Sequence, residues 1–180
     1  MIDTLATHWI NALSGHWEIL DWVVIGITKG GVEVLVVLIA LRWWTKDNRE
    51  AARYVAISCG FGAALGLLFN QGLLLFMHRV RPYDGGVTHL LIDRSQDPSF
   101  PSDHATVVFA IALYLLAKRD RYAGAFLVAA VLVSLSRVYV GTHYVTDVLG
   151  GAATAAVATG LVAAFYRADS GLNRQLVRIL

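Results

Sequence analysis

The run Ser136-Arg137-Val138-Tyr139-Val140-Gly141-Thr142-His143-Tyr144-Val145-Thr146-Asp147 opens onto an apolar, Gly- and Ala-rich stretch that continues to residue 166. An apolar run of this length is what a bilayer-crossing helix needs. The small residues from Gly150 to Gly160 suit close helix packing. Immediately before it stand an arginine, a histidine and an aspartate. If the helix starts at Thr142, His143 and Asp147 lie four apart on one face. A carboxylate one turn from a histidine can hold its ring and fix its tautomer, which an attacking imidazole needs. Arg137 offers a planar cationic fork suited to phosphate oxygens.

The rest of the 180-residue chain agrees with a membrane setting. It is 57% hydrophobic and only 16% charged, with a mean hydropathy of +0.58. That composition is too apolar for an ordinary soluble domain. A formal net charge of +2 gives no electrostatic footprint for nucleic acid. With Cys59 as the one cysteine, the chain has neither an internal disulfide nor a thiolate cluster. No basic residue precedes a short apolar core at the N-terminus, so a cleaved signal peptide is not expected. The whole chain is expected to form one integral-membrane domain.

Taken outward from the opening stretch, the apolar runs predict an all-α, polytopic helix bundle of about five transmembrane helices plus an N-terminal interfacial helix. Leu5, Trp9 and Leu13 recur at helical spacing within residues 1–17, as on a helix lying at a membrane surface; a loosely packed N-terminus is the alternative. Residues 19–44 form the first spanning candidate, with a break or kink expected at Lys29, Gly30, Gly31 and Glu33. Further spans are expected from Tyr54 to Met77, Ser102 to Ala117, 122 to 139 and 143 to 166. With five spans, three basic segments share one side: Arg42–Arg53, Lys118–Arg121, and the tail with Arg167, Arg174 and Arg178. The positive-inside rule makes that side, with the C-terminus, cytoplasmic. The connections holding Arg81, His104 and His143 then face outward.

Two more polar clusters fall on this outward side. The first is His78-Arg79-Val80-Arg81-Pro82-Tyr83, whose arginines run against the charge bias; alone, they read as residues snorkelling to lipid headgroups. The second is Phe100-Pro101-Ser102-Asp103-His104-Ala105-Thr106. Ser102 is placed to cap a helix there, whose free N–H groups favour an anion. His104 lies in the first turn. The Asp103 backbone N–H is expected to face the anion, with its carboxylate turned to Arg79 or another cation. Three clusters on one membrane face, each bringing a cation or an imidazole, point to a phosphate site.

These residues resemble the type 2 phosphatidic acid phosphatase superfamily, whose signature is K-x6-R-P, then P-S-G-H, then S-R-x5-H-x3-D. Arg81 and Pro82 end the first part, Pro101 to His104 read P-S-D-H, and Ser136, Arg137, His143 and Asp147 match the third. Leu74 replaces the lysine of the first part and Asp103 the glycine of the second. Both departures, with Asn70-Gln71 and the run from Phe100 to Thr106, look like the bacitracin-resistance type of undecaprenyl-diphosphatase.

The resemblance implies removal of the terminal phosphate of a polyprenyl diphosphate, at the outer face of a bacterial inner membrane. It casts His143 as nucleophile forming a phosphohistidine, Asp147 as its orienting partner, and His104 as general acid and base. Arg81, Arg137, Ser102 and the backbone at Asp103 would hold phosphate oxygens, with Arg79 replacing part of the charge missing at Leu74. No carboxylate cluster suggests a Mg²⁺ cage, so activity without metal or other cofactor is expected. The expected partners are the lipid phosphate and membrane lipids; the sequence gives no oligomeric state. Phosphatidate, phosphatidylglycerophosphate or another lipid phosphate are alternative substrates. A flippase or a non-hydrolytic lipid-phosphate binder is a different class, in which two histidines and Asp147 would have no use.

Overall fold

The computed structural model describes residues 2–46 and 48–179. Among them are seven α-helices and no strand: α1 (Ile2–Asn11), α2 (Glu18–Leu41), α3 (Arg49–Leu74), α4 (Asp103–Ala117), α5 (Ala123–Tyr139), α6 (Val145–Phe165) and α7 (Gly171–Ile179). A 3-10 turn, Arg42–Trp44, ends α2. Among the described residues, three stretches are long and apolar enough to cross a membrane: Glu18–Trp44, Arg49–Leu74 and Val145–Phe165. At 1.5 Å per residue, α4 and α5 reach about 22 and 26 Å, short of the ~30 Å hydrocarbon core.

α4 is the central helix, packed by α3, α5 and α6. Its sequence explains why. Ala105, Val108, Ala110, Ala112, Tyr114 and Leu115 are all fully buried, so it is apolar on nearly every side. Its alanines let three neighbours approach together. α2 lies outside, mainly against α5.

Of the break or kink expected at Lys29–Glu33, the break is absent: α2 runs unbroken through these residues. Lys29 and Glu33 are exposed, so neither perturbs the backbone by being forced into the core. A side-chain carbon at Gly31 would stand 2.5 Å from Val133 Cγ2, so that glycine serves packing on α5. The second span begins and ends earlier than expected, at Arg49 and Leu74. The N-terminus is docked: Thr7 Oγ1 accepts from the Val145 N–H at 3.1 Å, and buried Asn11 donates to the carbonyls of His89 and Tyr139. The basic tail forms a further helix, α7.

Two polar clusters lie at opposite ends. At one end Arg42 pairs with Asp120 at 2.6 Å, and Arg53 donates to the Val177 carbonyl of α7. At the other end the segment between α3 and α4, the α4 start and the α5–α6 turn come together.

Candidate active site

Three short pieces of backbone build the site. Ser102 caps α4, accepting from the Ala105 N–H at 3.5 Å. Its own N–H donates to the Asp147 carbonyl at 3.1 Å, which ties the start of α4 to the start of α6. That close approach needs Gly151, where an added Cβ would lie 2.5 Å from the Ser102 oxygen. The turn from α5 to α6 passes through Gly141, at φ +85°, a conformation that glycine adopts without steric cost.

α6 begins at Val145, later than the Thr142 start that would put His143 and Asp147 on one helical face. Asp147 instead turns back as a cap, accepting from the Tyr144 N–H at 2.8 Å. His143 precedes the helix and is 3% exposed. Its Nδ1 lies 2.8 Å from the Ser99 carbonyl and 3.6 Å from Asp147 Oδ2. A carbonyl only accepts, so Nδ1 carries the proton and Nε2 keeps the lone pair. Orientation of His143 is thus shared: the fully buried Asp147 accepts from Ser99 Oγ at 2.5 Å, and Ser99 holds the ring. Burial pushes the His143 pKa below the usual histidine range, against the opposing pull of the nearby Asp147 carboxylate.

Arg81, Arg137, His104 and His143 line one cavity of about 250 Å³, together with Asp97 and Asp103. Arg81 is positioned by backbone: it donates to the carbonyls of Asp97 at 2.8 Å and Thr142 at 3.0 Å. Its Nη1 stands 3.4 Å from His143 Nε2. Arg137 differs, because its Nε is buried with no partner among the described residues. A buried cationic donor without an acceptor is costly unless an anion completes it.

Two expected phosphate ligands are placed elsewhere. Arg79 does not line the cavity. It pairs with Asp147 Oδ1 at 2.6 Å and Asp3 Oδ2 at 2.5 Å, and lies 3.9 Å over the Tyr144 ring. Two carboxylates and an aromatic face bind a guanidinium more fully than the cavity edge would, so it braces Asp147 from behind. Ser102 is fully buried and outside the lining, its hydroxyl turned to its own helix. The Asp103 carboxylate accepts from Asn70 at 2.7 Å, where Arg79 or another cation was expected.

Sequence reasoning missed Ser99, Asp97 and Ser95, which lie in an irregular segment with no periodicity to read. It missed Asp3 as well, which accepts from the Thr146 N–H at 3.0 Å and from its hydroxyl at 2.6 Å. Ser136, part of the opening stretch, is structural: its hydroxyl joins Thr28 of α2 at 2.7 Å and donates to the Val133 carbonyl. Among the described residues, no group of three His, Cys, Asp or Glu side chains is placed to hold a metal ion.

The family model for the PAP2 superfamily matches residues 55–170. Undecaprenyl-diphosphatase BcrC of Bacillus subtilis (strain 168) is 32% identical over 148 residues, which cover 82% of this chain and 76% of that protein. The crystal structure of a transmembrane PAP2 type phosphatidylglycerolphosphate phosphatase from Bacillus subtilis superposes with a TM-score of 0.65 at 29% identity, covering 92% of this chain and 87% of the other. Aquifex aeolicus LpxE shares the fold, with a TM-score of 0.70 at 18% identity, covering 92% of this chain and 96% of that one.

Proposed function

Because this chain belongs to the PAP2 superfamily of phosphatases, we propose that it removes the terminal phosphate of undecaprenyl diphosphate or a closely similar polyprenyl diphosphate. The observation that carries this reading is the cavity where two imidazoles and two guanidinium groups meet, one guanidinium with a buried, unpartnered Nε. His143 Nε2 attacks the terminal phosphorus; an N–P bond forms as the bridging P–O bond breaks. His104 gives a proton to the departing lipid phosphate. It then takes one from the water that attacks the phosphohistidine, releasing inorganic phosphate and restoring Nε2. Arg81 and Arg137 neutralise the equatorial oxygens, which is most of what phosphoryl transfer asks of a protein.

An isoprenoid substrate fits the surroundings. Leu74 lines the cavity, and Leu75, Phe76 and Val80 beside it are 75%, 85% and 64% exposed. Such an apolar rim suits a lipid chain arriving from the membrane. The proposed setting is a bacterial cytoplasmic membrane crossed five times, with the cavity on the outer side and the basic end and C-terminus in the cytoplasm. α4 and α5 complete the crossings with their outer ends at headgroup depth, where the cavity sits. In this reading Arg81 and Arg137 supply the charge stabilisation, and the reaction is proposed to need no metal.

The test is phosphate release from a C55 polyprenyl diphosphate in detergent with EDTA present, against phosphatidate and phosphatidylglycerophosphate. The phosphatidylglycerolphosphate phosphatase of similar structure makes the last the second reading. Preference for the diphosphate with full activity in EDTA is expected. Preference for a monophosphate would replace the substrate, and activity in His143→Ala at the wild-type rate would remove the mechanism.

A further inference from the structure

α2 is the least covered of the long apolar helices: 17% of its apolar stretch is buried inside the molecule, against 33% for α3 and for α6. Thr28, Leu35 and Ile39 mark its inner face. At 100° per residue, the opposite face carries Gly26, Gly30, Glu33 and Val37, with Lys29 about 80° from its centre on the Glu33 side. A Cβ at Gly26 or Gly30 would meet nothing within 4 Å. Between α2 and α5 this face continues into an apolar groove of about 440 Å³, lined by Val23, Gly26, Gly30, Val34, Ala129 and Leu132.

Lys29 and Glu33 make the face unlike an ordinary lipid-facing surface. Both are exposed, and no ion pair among the described residues includes either. They stand roughly 17 and 23 Å along a helix of about 36 Å, so in a bilayer both face the hydrocarbon interior. Ionisable groups at that depth call for a partner.

We propose that this face docks a second copy of the same chain, α2 against α2, about a two-fold axis along the membrane normal. A two-fold interface presents the same patch twice. The two helices run parallel, and Lys29 of each copy lies one turn from the partner's Glu33, within reach of the lysine stem. Both charges of both copies are thereby neutralised by this one patch. Gly26 and Gly30, four apart, let the helix axes come close enough for that pairing. A lipid chain would need neither charge. An unrelated helix would have to bring its own complementary pair, whereas this helix already holds both members.

The test uses full-length protein in liposomes, with Cys59→Ser and Val37→Cys so that oxidation reports proximity of the outer faces. A cross-linked dimer is expected. Lys29→Glu and Glu33→Lys should each lower its yield at least fivefold, as should Gly30→Leu. Mixing Lys29→Glu chains with Glu33→Lys chains, distinguished by tags of different size, should restore the mixed dimer to within twofold of the parent. That restoration also shows that both variants fold. Absence of any dimer from the parent, or equal cross-linking by the single charge reversals, would overturn the proposal.

Discussion

Replacing Arg79 by methionine separates a phosphate ligand from a brace. Its guanidinium reaches Asp147 and Asp3 together, while Asp147 is 0% exposed and keeps Ser99 Oγ and the Tyr144 N–H as remaining donors. Breaking a buried pair by removing one partner costs about 3–5 kcal/mol. Arg79 is 32% exposed, so solvent offsets part of that loss. A loss of about 1–3 kcal/mol is expected after screening. For a chain of this length that lowers the unfolding midpoint by roughly 3–9 °C. Slackening Asp147 loosens Ser99 and so the His143 ring; kcat should fall about tenfold to a hundredfold. KM should stay within about threefold, since no contact to the phosphate is lost. Steady-state phosphate release and detergent thermal melts read all three quantities. A KM raised tenfold or more, with kcat and midpoint unchanged, would return Arg79 to the phosphate and refute the brace.

Three further outcomes follow from the geometry. Because burial lowers the His143 pKa, the neutral, attacking ring persists below the usual histidine range of about 6.5. A His143-dependent acid limb in kcat/KM should therefore lie below that pH, while the unfolded chain gains its proton first, so stability declines as pH falls from about 6.5 toward the folded value. Burial alone would raise the Asp3 pKa, but hydrogen bonds from Thr146 and Arg79 outweigh it and hold it below the ordinary range. The stability that Asp3 gives is present above about pH 4 and lost as pH falls through the lowered value, so the gap in midpoint between wild type and Asp3→Asn should close only in strong acid. Gly151→Ala should cost about 1–3 kcal/mol by overpacking and should lower kcat by moving His104 with the start of α4, measurable by thermal melt and turnover.

The helices were legible because lipid solvation writes long apolar runs into the chain. α4, α5 and α6 lie within one or two residues of the expected limits. The catalytic candidates were legible because His104, Arg137 and His143 interrupt apolar surroundings at the ends of those runs. What could not be read was the partner of each charge. Arg79 and Arg81 are two residues apart in a segment without helical or strand period, so spacing could not say that one lines the cavity and the other faces away. Ser99 acts partly through its backbone carbonyl, a group every residue possesses. Asp3 reaches the site from far along the chain. The expected break is absent because Gly31 can serve either an interruption or close packing, and Val133, distant in sequence, shows the packing role.

The most direct test of the chemistry is rapid-quench labelling with a polyprenyl diphosphate carrying radioactive terminal phosphate. The expected result is a transient protein-bound label, stable in alkali and lost in acid, mapping to His143 by peptide mass spectrometry and missing from His143→Ala. Label on another residue, or full turnover by His143→Ala, would contradict attack by the His143 imidazole.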